Sequence, residues 1–275
     1  EGLSVSTLSI YSFGSHVFKI FSVVLARTMG GWCAVQSGFF GITINSMFPN
    51  AAFITHPQFA GGWGGLLMLM TAYFGYKGLE VLSKIAIPLI VIISLIGINA
   101  AINSAGGWDN VMSITPVGST TISAGIVLVV GSFAAGASAQ ADVTRYSKDA
   151  KTAWIATIIG FMVANSFIIV AGYLSTLATG MGDLPNAMLH LGLGFPALMV
   201  LILAQWTTND NNLYTSSLGL SNIFRIGRSR IVIIVGVIGS ILGGLGVADY
   251  FVSWLVVLGI GVPPMAGVII ADYYI

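Results

Sequence analysis

Apolar runs dominate the chain, and short stretches rich in glycine, asparagine or charge separate them. The runs lie near 16–46, 60–76, 81–103, 119–144, 152–178, 190–222, 231–247 and 250–271. A helix needs roughly 20 mostly apolar residues to cross a bilayer, so the pattern predicts eight spans. The runs are continuously apolar rather than alternating with period two, which predicts helices and not the strands of a barrel. GGWGG (61–65), NSAGGWDN (103–110) and ATGMGDLPN (178–186) read as connecting loops, with no room for a further domain. Residues 1–275 are therefore expected to form a single transmembrane domain.

Composition supports this class. Hydrophobic residues make up 56% of the chain and charged residues only 7%, against about 25% charged in an ordinary soluble domain. The net charge of +1 includes no basic stripe, so nucleic acid is not an expected partner. The placement of the cations carries more than their sum. Lys77 and Lys84, then Arg145, Lys148 and Lys151, then Arg225, Arg228 and Arg230 fall in alternate loops. The loops around 47–59, 104–118, 179–189 and 248–250 contain no Lys or Arg. The positive-inside rule makes the basic loops cytoplasmic, so the first span runs outward through a cell (inner) membrane. No signal peptide is visible, and EGLSVSTLSIYSFG without an initiator Met reads as a start partway into a longer protein. The lone Cys33 excludes a disulfide framework, and His16, His56 and His190 lie far apart near expected membrane boundaries.

Three segments depart from simple apolar helix. GSFAAGASAQAD (131–142) has nine Gly, Ala or Ser residues. Such a run either packs helices closely or unwinds, freeing backbone groups to bond a polar ligand near the midplane. Asp142 and Arg145 at its inner end read as an interfacial pair. In RTMGGWCAVQSGFF (27–40), Trp32 and Gln36 are four apart and share a helix face. Trp32 lies about sixteen residues, roughly 24 Å, from the inner end, so a flat ring and an amide meet well inside the membrane. Arg27 reads as a snorkelling cation or the partner of a carboxylate such as Asp210. Finally, QWTTNDNNLYTSSLGLSN (205–222) puts polar groups near the bilayer middle, where they are costly unless they face a cavity, an ion or one another. Two adjacent threonine hydroxyls with loosened carbonyls are hard oxygen ligands for a small cation.

These residues carry a resemblance. YSFG (11–14), TMGGW (28–32), VVGSFAAGASAQADVTRYSKDAK (129–151), QWTTNDNNLYTSSLGLSNI (205–223) and VPPMAGVIIADYY (262–274) resemble the nucleobase:cation symporter-1 family, and its cytosine permeases most closely. The resemblance implies an all-α integral membrane fold, the five-plus-five inverted repeat of the leucine-transporter type. In the family's twelve-helix pattern the spans here would be helices three to ten. It implies a symporter that imports a nucleobase, cytosine or a related planar base, coupled to sodium or protons by alternating access. Neither enzyme activity, an organic cofactor nor an obligatory protein partner is implied.

The resemblance also assigns roles. Trp32 and Phe133 match the aromatic pair that sandwiches the base, with Phe133 at a helix break. The backbone of Ala134, Ala135 and Gly136 matches the segment that bonds the base edge, and Asn209 the neighbouring polar position. The Ala204 carbonyl with Thr207 and Thr208 matches part of a sodium site. The chain departs from the cytosine permease pattern at Met29 and Ala204, where that pattern has Gln and Asn. Gln36 matches the glutamine of hydantoin-type members, which keeps hydantoin, allantoin and thiamine-precursor pyrimidines in view as substrates. An amino-acid transporter of the same fold fits less well, since a flat ring gains more than a zwitterion from stacking. A channel would need a continuous polar lining, whereas the polar residues here cluster at one depth. An enzyme would need paired buried carboxylates or a His cluster, and neither is evident.

Overall fold

The computed structural model describes residues 2–51, 53–115 and 120–275. Glu1, Ala52 of the expected 47–59 loop, residues 116–118 of the expected 104–118 loop and residue 119 of the expected fourth span lie outside them. The described residues form helices and no strand. In chain order these are α1 (Val5–Met47), α2 (Pro57–Tyr73), α3 (Tyr76–Ser104), α4 (Trp108–Ser113), α5 (Ile122–Ser138), α6 (Ala141–Thr144), α7 (Ala150–Ile158), α8 (Asn165–Thr179), α9 (Leu184–His190), α10 (Gly194–Phe224), α11 (Arg228–Gly244) and α12 (Phe251–Tyr274). A π-helical segment, Ile159–Ala164, joins α7 to α8. Every expected span meets a helix or a continuous helical run.

Five of these runs are long and apolar enough to cross a membrane by length and composition: Val5–Met47, Tyr76–Ser104, Ile122–Thr144, Ala150–Thr179 and Val247–Tyr274. The outer faces are apolar, as with Ile85, Ile92 and Leu95 on α3 and Ile126 and Val129 on α5, all exposed. Such a surface suits a lipid solvent, in which only helices or closed barrels satisfy their backbones.

Two differences from the expected boundaries bear on the packing. GGWGG (61–65) is not a loop but part of α2. Its glycines allow close approach, since a Cβ on Gly61 would sit 3.0 Å from the Ser37 carbonyl oxygen and one on Gly65 2.4 Å from Ser240 Oγ. The first helix begins earlier than residue 16, but Gly14 breaks it with φ 69° and ψ 175°. That left-handed φ is open to glycine at little cost, and it divides a short segment capped by Ser4 from the long helix beyond.

Small residues set the packing. On α11, a Cβ on Gly243 would lie 2.5 Å from Ser37 Cβ, and one on Gly239 2.6 Å from Cys33 Sγ. Cys33 is fully buried at this seam between α1 and α11. A second seam joins α5 to α12, where a Cβ on Gly131 would fall 2.0 Å from the Leu255 carbonyl oxygen. Without a hydrophobic drive between helices in lipid, such close contacts supply the association energy.

The three basic loops meet at one end of the bundle. Tyr76, at the start of α3, stacks on Tyr146 with centroids 3.9 Å apart. Arg145 donates to the hydroxyls of Tyr146 (2.7 Å) and Tyr214 (2.6 Å). Arg228 donates to the carbonyls of Ala72 (3.3 Å) and Tyr73 (2.7 Å). The start of the chain joins the same end, where the Val5 N–H donates to Asp142 Oδ1 at 2.8 Å. This gathering agrees with the cytoplasmic assignment of all three loops.

Candidate functional site

The residues singled out in the sequence lie on three helices, α1, α5 and α10. Trp32 is buried on α1, with 9% of its surface exposed. Its ring meets Phe251 of α12 edge-on at 5.7 Å, and Phe251 also takes Phe39 at 5.1 Å. Trp32 shares this apolar cluster with Ala134 and Ala135 of α5. Gln36, one turn on, is half-buried, and its amide makes no side-chain hydrogen bond among the described residues. An amide has donors and an acceptor to offer, so this face presents unused polar capacity beside an aromatic ring.

On α5 the expected break at Phe133 and the open backbone at Ala134, Ala135 and Gly136 are corrected. The helix runs unbroken through Ser138, and the interruption comes later, at Ala139 and Gln140. The Ala134 carbonyl accepts Ser138 Oγ at 2.8 Å, and the Ala135 carbonyl accepts the Ala139 N–H at 3.0 Å. Alanine is the strongest helix former, and the Gly131 contact with α12 holds this part of α5 against a neighbour. The small-residue run therefore serves close packing at its start and ends the helix only at its tail. Phe133 does not face Trp32 ring to ring, because it meets Phe161 of the π-helical segment edge-on at 6.1 Å. A π segment carries extra residues per turn and often marks a functional position. Nothing in the spacing points to it.

The α10 helix is continuous through the polar stretch, so its backbone is not loosened as the sequence suggested. Within it, the Thr207 and Thr208 hydroxyls both donate to the Ala204 carbonyl oxygen at 2.9 Å. Back-bonding of this kind is common for threonine in helices. Here it gathers three uncharged oxygens, and each hydroxyl keeps lone pairs that can face a cation. Asn211 Oδ1, one turn from Thr207, is buried without a partner among the described residues. Such hard oxygens fit a small monovalent cation as part of a ligand shell.

Asn209 lies elsewhere. It is 0% exposed, with its amide against Met68 Sδ at 3.3 Å and the Cys33 thiol. The helical rotation of about 100° per residue turns it from the Thr208 side into the seam with α1 and α2. Two pairings are corrected as well. Asp210 Oδ1 accepts the Thr71 hydroxyl at 2.8 Å, not Arg27, and Thr71 in turn accepts from Trp206 Nε1 at 2.7 Å. Asp142 caps Val5 while Arg145 turns to the tyrosines. Among the described residues the salt bridge present is Lys84 to Glu80. Thr71, a single hydroxyl in an apolar helix, has no sequence signature that marks it as the link between Trp206 and Asp210.

Buried polar atoms without a partner among the described residues concentrate on α10: Gln205 Oε1, Asn209 Oδ1, Asp210 Oδ2, Asn212 Nδ2 and Thr215 Oγ1 join Asn211 Oδ1. Each costs about 1–3 kcal/mol if left unsatisfied, and native proteins keep few such groups. Their concentration on one helix, at the depth of Trp32 and Gln36, suits a site that exchanges polar ligands.

Known proteins share this architecture. The family of permeases for cytosine/purines, uracil, thiamine and allantoin matches residues 1–275. The cytosine permeases of Escherichia coli strain K12 and of Escherichia coli O157:H7 are each 35% identical over 272 residues, which is 99% of this chain and 64% of theirs. The chain thus spans less than two thirds of the length of these relatives. The solved structure of Mhp1, a nucleobase-cation-symport-1 family transporter in a closed conformation with bromovinylhydantoin bound, superposes with a TM-score of 0.80. It covers all of this chain and 65% of that one at 19% identity, and the fold is the expected leucine-transporter type.

Proposed function

We propose, since the chain belongs to the family of permeases for cytosine/purines, uracil, thiamine and allantoin, that the protein is a secondary active transporter of a planar nucleobase, cytosine or a close relative. It is a multi-pass membrane protein and not an enzyme. The observation that carries the proposal is the Trp32–Gln36 face, where a buried ring stands one turn from an amide with no partner. The base stacks on Trp32 and presents its donor and acceptor edge to Gln36. Ala135, in the same cluster as Trp32, forms the far wall. Phe133 closes the pocket only after leaving Phe161. Ala134 and Gly136 take supporting places around the base, with Asn209 held in the seam beside Cys33.

The Ala204 carbonyl, Thr207 and Thr208 supply part of a sodium site on α10, and the polar residues that follow line the inner pathway. Sodium, rather than a proton, is favoured as the coupling ion, because three uncharged oxygens converge there. Movement of α5 and α10 relative to α1 then exposes the site to each side in turn. A hydantoin-like substrate is the second reading, favoured by the free Gln36 amide. A thermal-shift screen against cytosine, other nucleobases and hydantoins, with and without sodium, tests both readings. Stabilisation by a planar base, deepened by sodium, is the expected result, and indifference to every base would reject the proposal.

A further inference from the structure

The Arg27 side chain is exposed and makes no hydrogen bond or ion pair in the described structure. It lines a groove of about 580 Å³ between α1, α11 and α12 whose walls are otherwise almost entirely carbon. A cation beside hydrocarbon is costly unless it reaches water or an anion. Its depth is given by its neighbours. Leu220, on the same groove, stands four residues, roughly 6 Å, from the end of α10. Arg225, Arg228 and Arg230 follow directly. The guanidinium therefore reaches the headgroup level of the cytoplasmic leaflet by snorkelling.

Deeper in the groove lies a second unsatisfied donor. Trp254 Nε1 is buried without a partner among the described residues. Its ring covers Gly31, where a Cβ would come within 2.4 Å of the indole. Gly31 is four residues beyond Arg27, so the indole donor sits about 6 Å below the cation. Past it, Ile238 and Leu242 continue the trough in carbon, while Val235 flanks Gly30 beside the indole.

We propose that this groove binds one anionic phospholipid of the inner leaflet, with its phosphate on Arg27, a glycerol ester carbonyl on Trp254 Nε1 and one acyl chain along α11. The vertical order of cation, neutral donor and apolar trough matches that of phosphate, ester and chain in the lipid. Charge selects the occupant, because the cytoplasmic leaflet is the anionic one and basic sites between helices on that side take acidic headgroups.

The full chain, purified in detergent and titrated with phosphatidylglycerol or phosphatidylethanolamine under native mass spectrometry, tests the proposal. One phosphatidylglycerol is expected to bind in preference to phosphatidylethanolamine. Arg27→Gln should cut that preference about fivefold, the worth of one cation near an anionic surface. Trp254→Phe keeps the ring and loses the donor, and should weaken both lipids about two- to tenfold. Ile238→Trp, at an exposed position, fills the trough and should displace both. Equal affinity for the two lipids, an unchanged preference in Arg27→Gln, or a groove already closed to lipid would overturn the proposal.

Discussion

At the scale of single residues, the proposed site divides into a ring, an amide and a set of oxygens. Stacking a base on an aromatic side chain is worth about 1–3 kcal/mol, so Trp32→Ala should weaken substrate binding at least tenfold by isothermal calorimetry. Gln36→Leu should instead change the order in which cytosine, uracil and hydantoin compete, because it removes an edge reader and leaves the ring. On α10, Thr208→Ala deletes one oxygen of the three around Ala204 and leaves Trp32 untouched. It should raise the sodium concentration that gives half-maximal substrate binding while affinity at saturating sodium stays near wild type, with Thr208→Ser mild. Coupling of this kind amounts to about 1–3 kcal/mol. Trp32, Gln36 and the threonine pair were legible because helical spacing alone relates them. The partners of Phe133, Asn209 and Asp210 were not, because Phe161, Met68 and Thr71 come from helices whose rotation is set by packing.

At the scale of elements, the order and placement of the long helical runs followed from the apolar runs, since the bilayer leaves few alternatives. The GGWGG stretch reads as a loop in sequence yet folds as helix for a physical reason. In water five residues with four glycines would rarely stay helical, but in lipid an unpaired backbone is the greater cost, and small residues become contact surfaces. The 131–142 run shows both outcomes, closely packed at Gly131 and broken only at Ala139 and Gln140. Gly131→Ala should accordingly force α5 from α12, with a loss of about 1–3 kcal/mol from overpacking, read as a lower Tm. A substitution of Gly125, which has open space around its Cβ position, is the control that should leave Tm nearly unchanged.

At the scale of the whole molecule, one hydroxyl is a crossing point among the ties at the basic end. The Tyr214 OH meets Arg145 Nη2 and the Tyr146 OH at 2.6 and 2.7 Å, and Arg228 lies over the Tyr214 ring at 5.6 Å. Tyr214→Phe keeps the ring and should free the segment around Arg145, making the inner end of α10 more open to hydrogen–deuterium exchange. Unchanged exchange there would show that the hydroxyl restrains nothing. The seam at Cys33 has a different use. The chain's one sulfhydryl is 0% exposed behind Gly239, so the native fold should resist maleimide that labels it readily once denatured. Residues 1–275 are then their own cysteine-silent background: single cysteines introduced along α5 or α10 can carry fluorophores or spin labels without removing a native thiol of this segment, and opening and closing can be followed as distances.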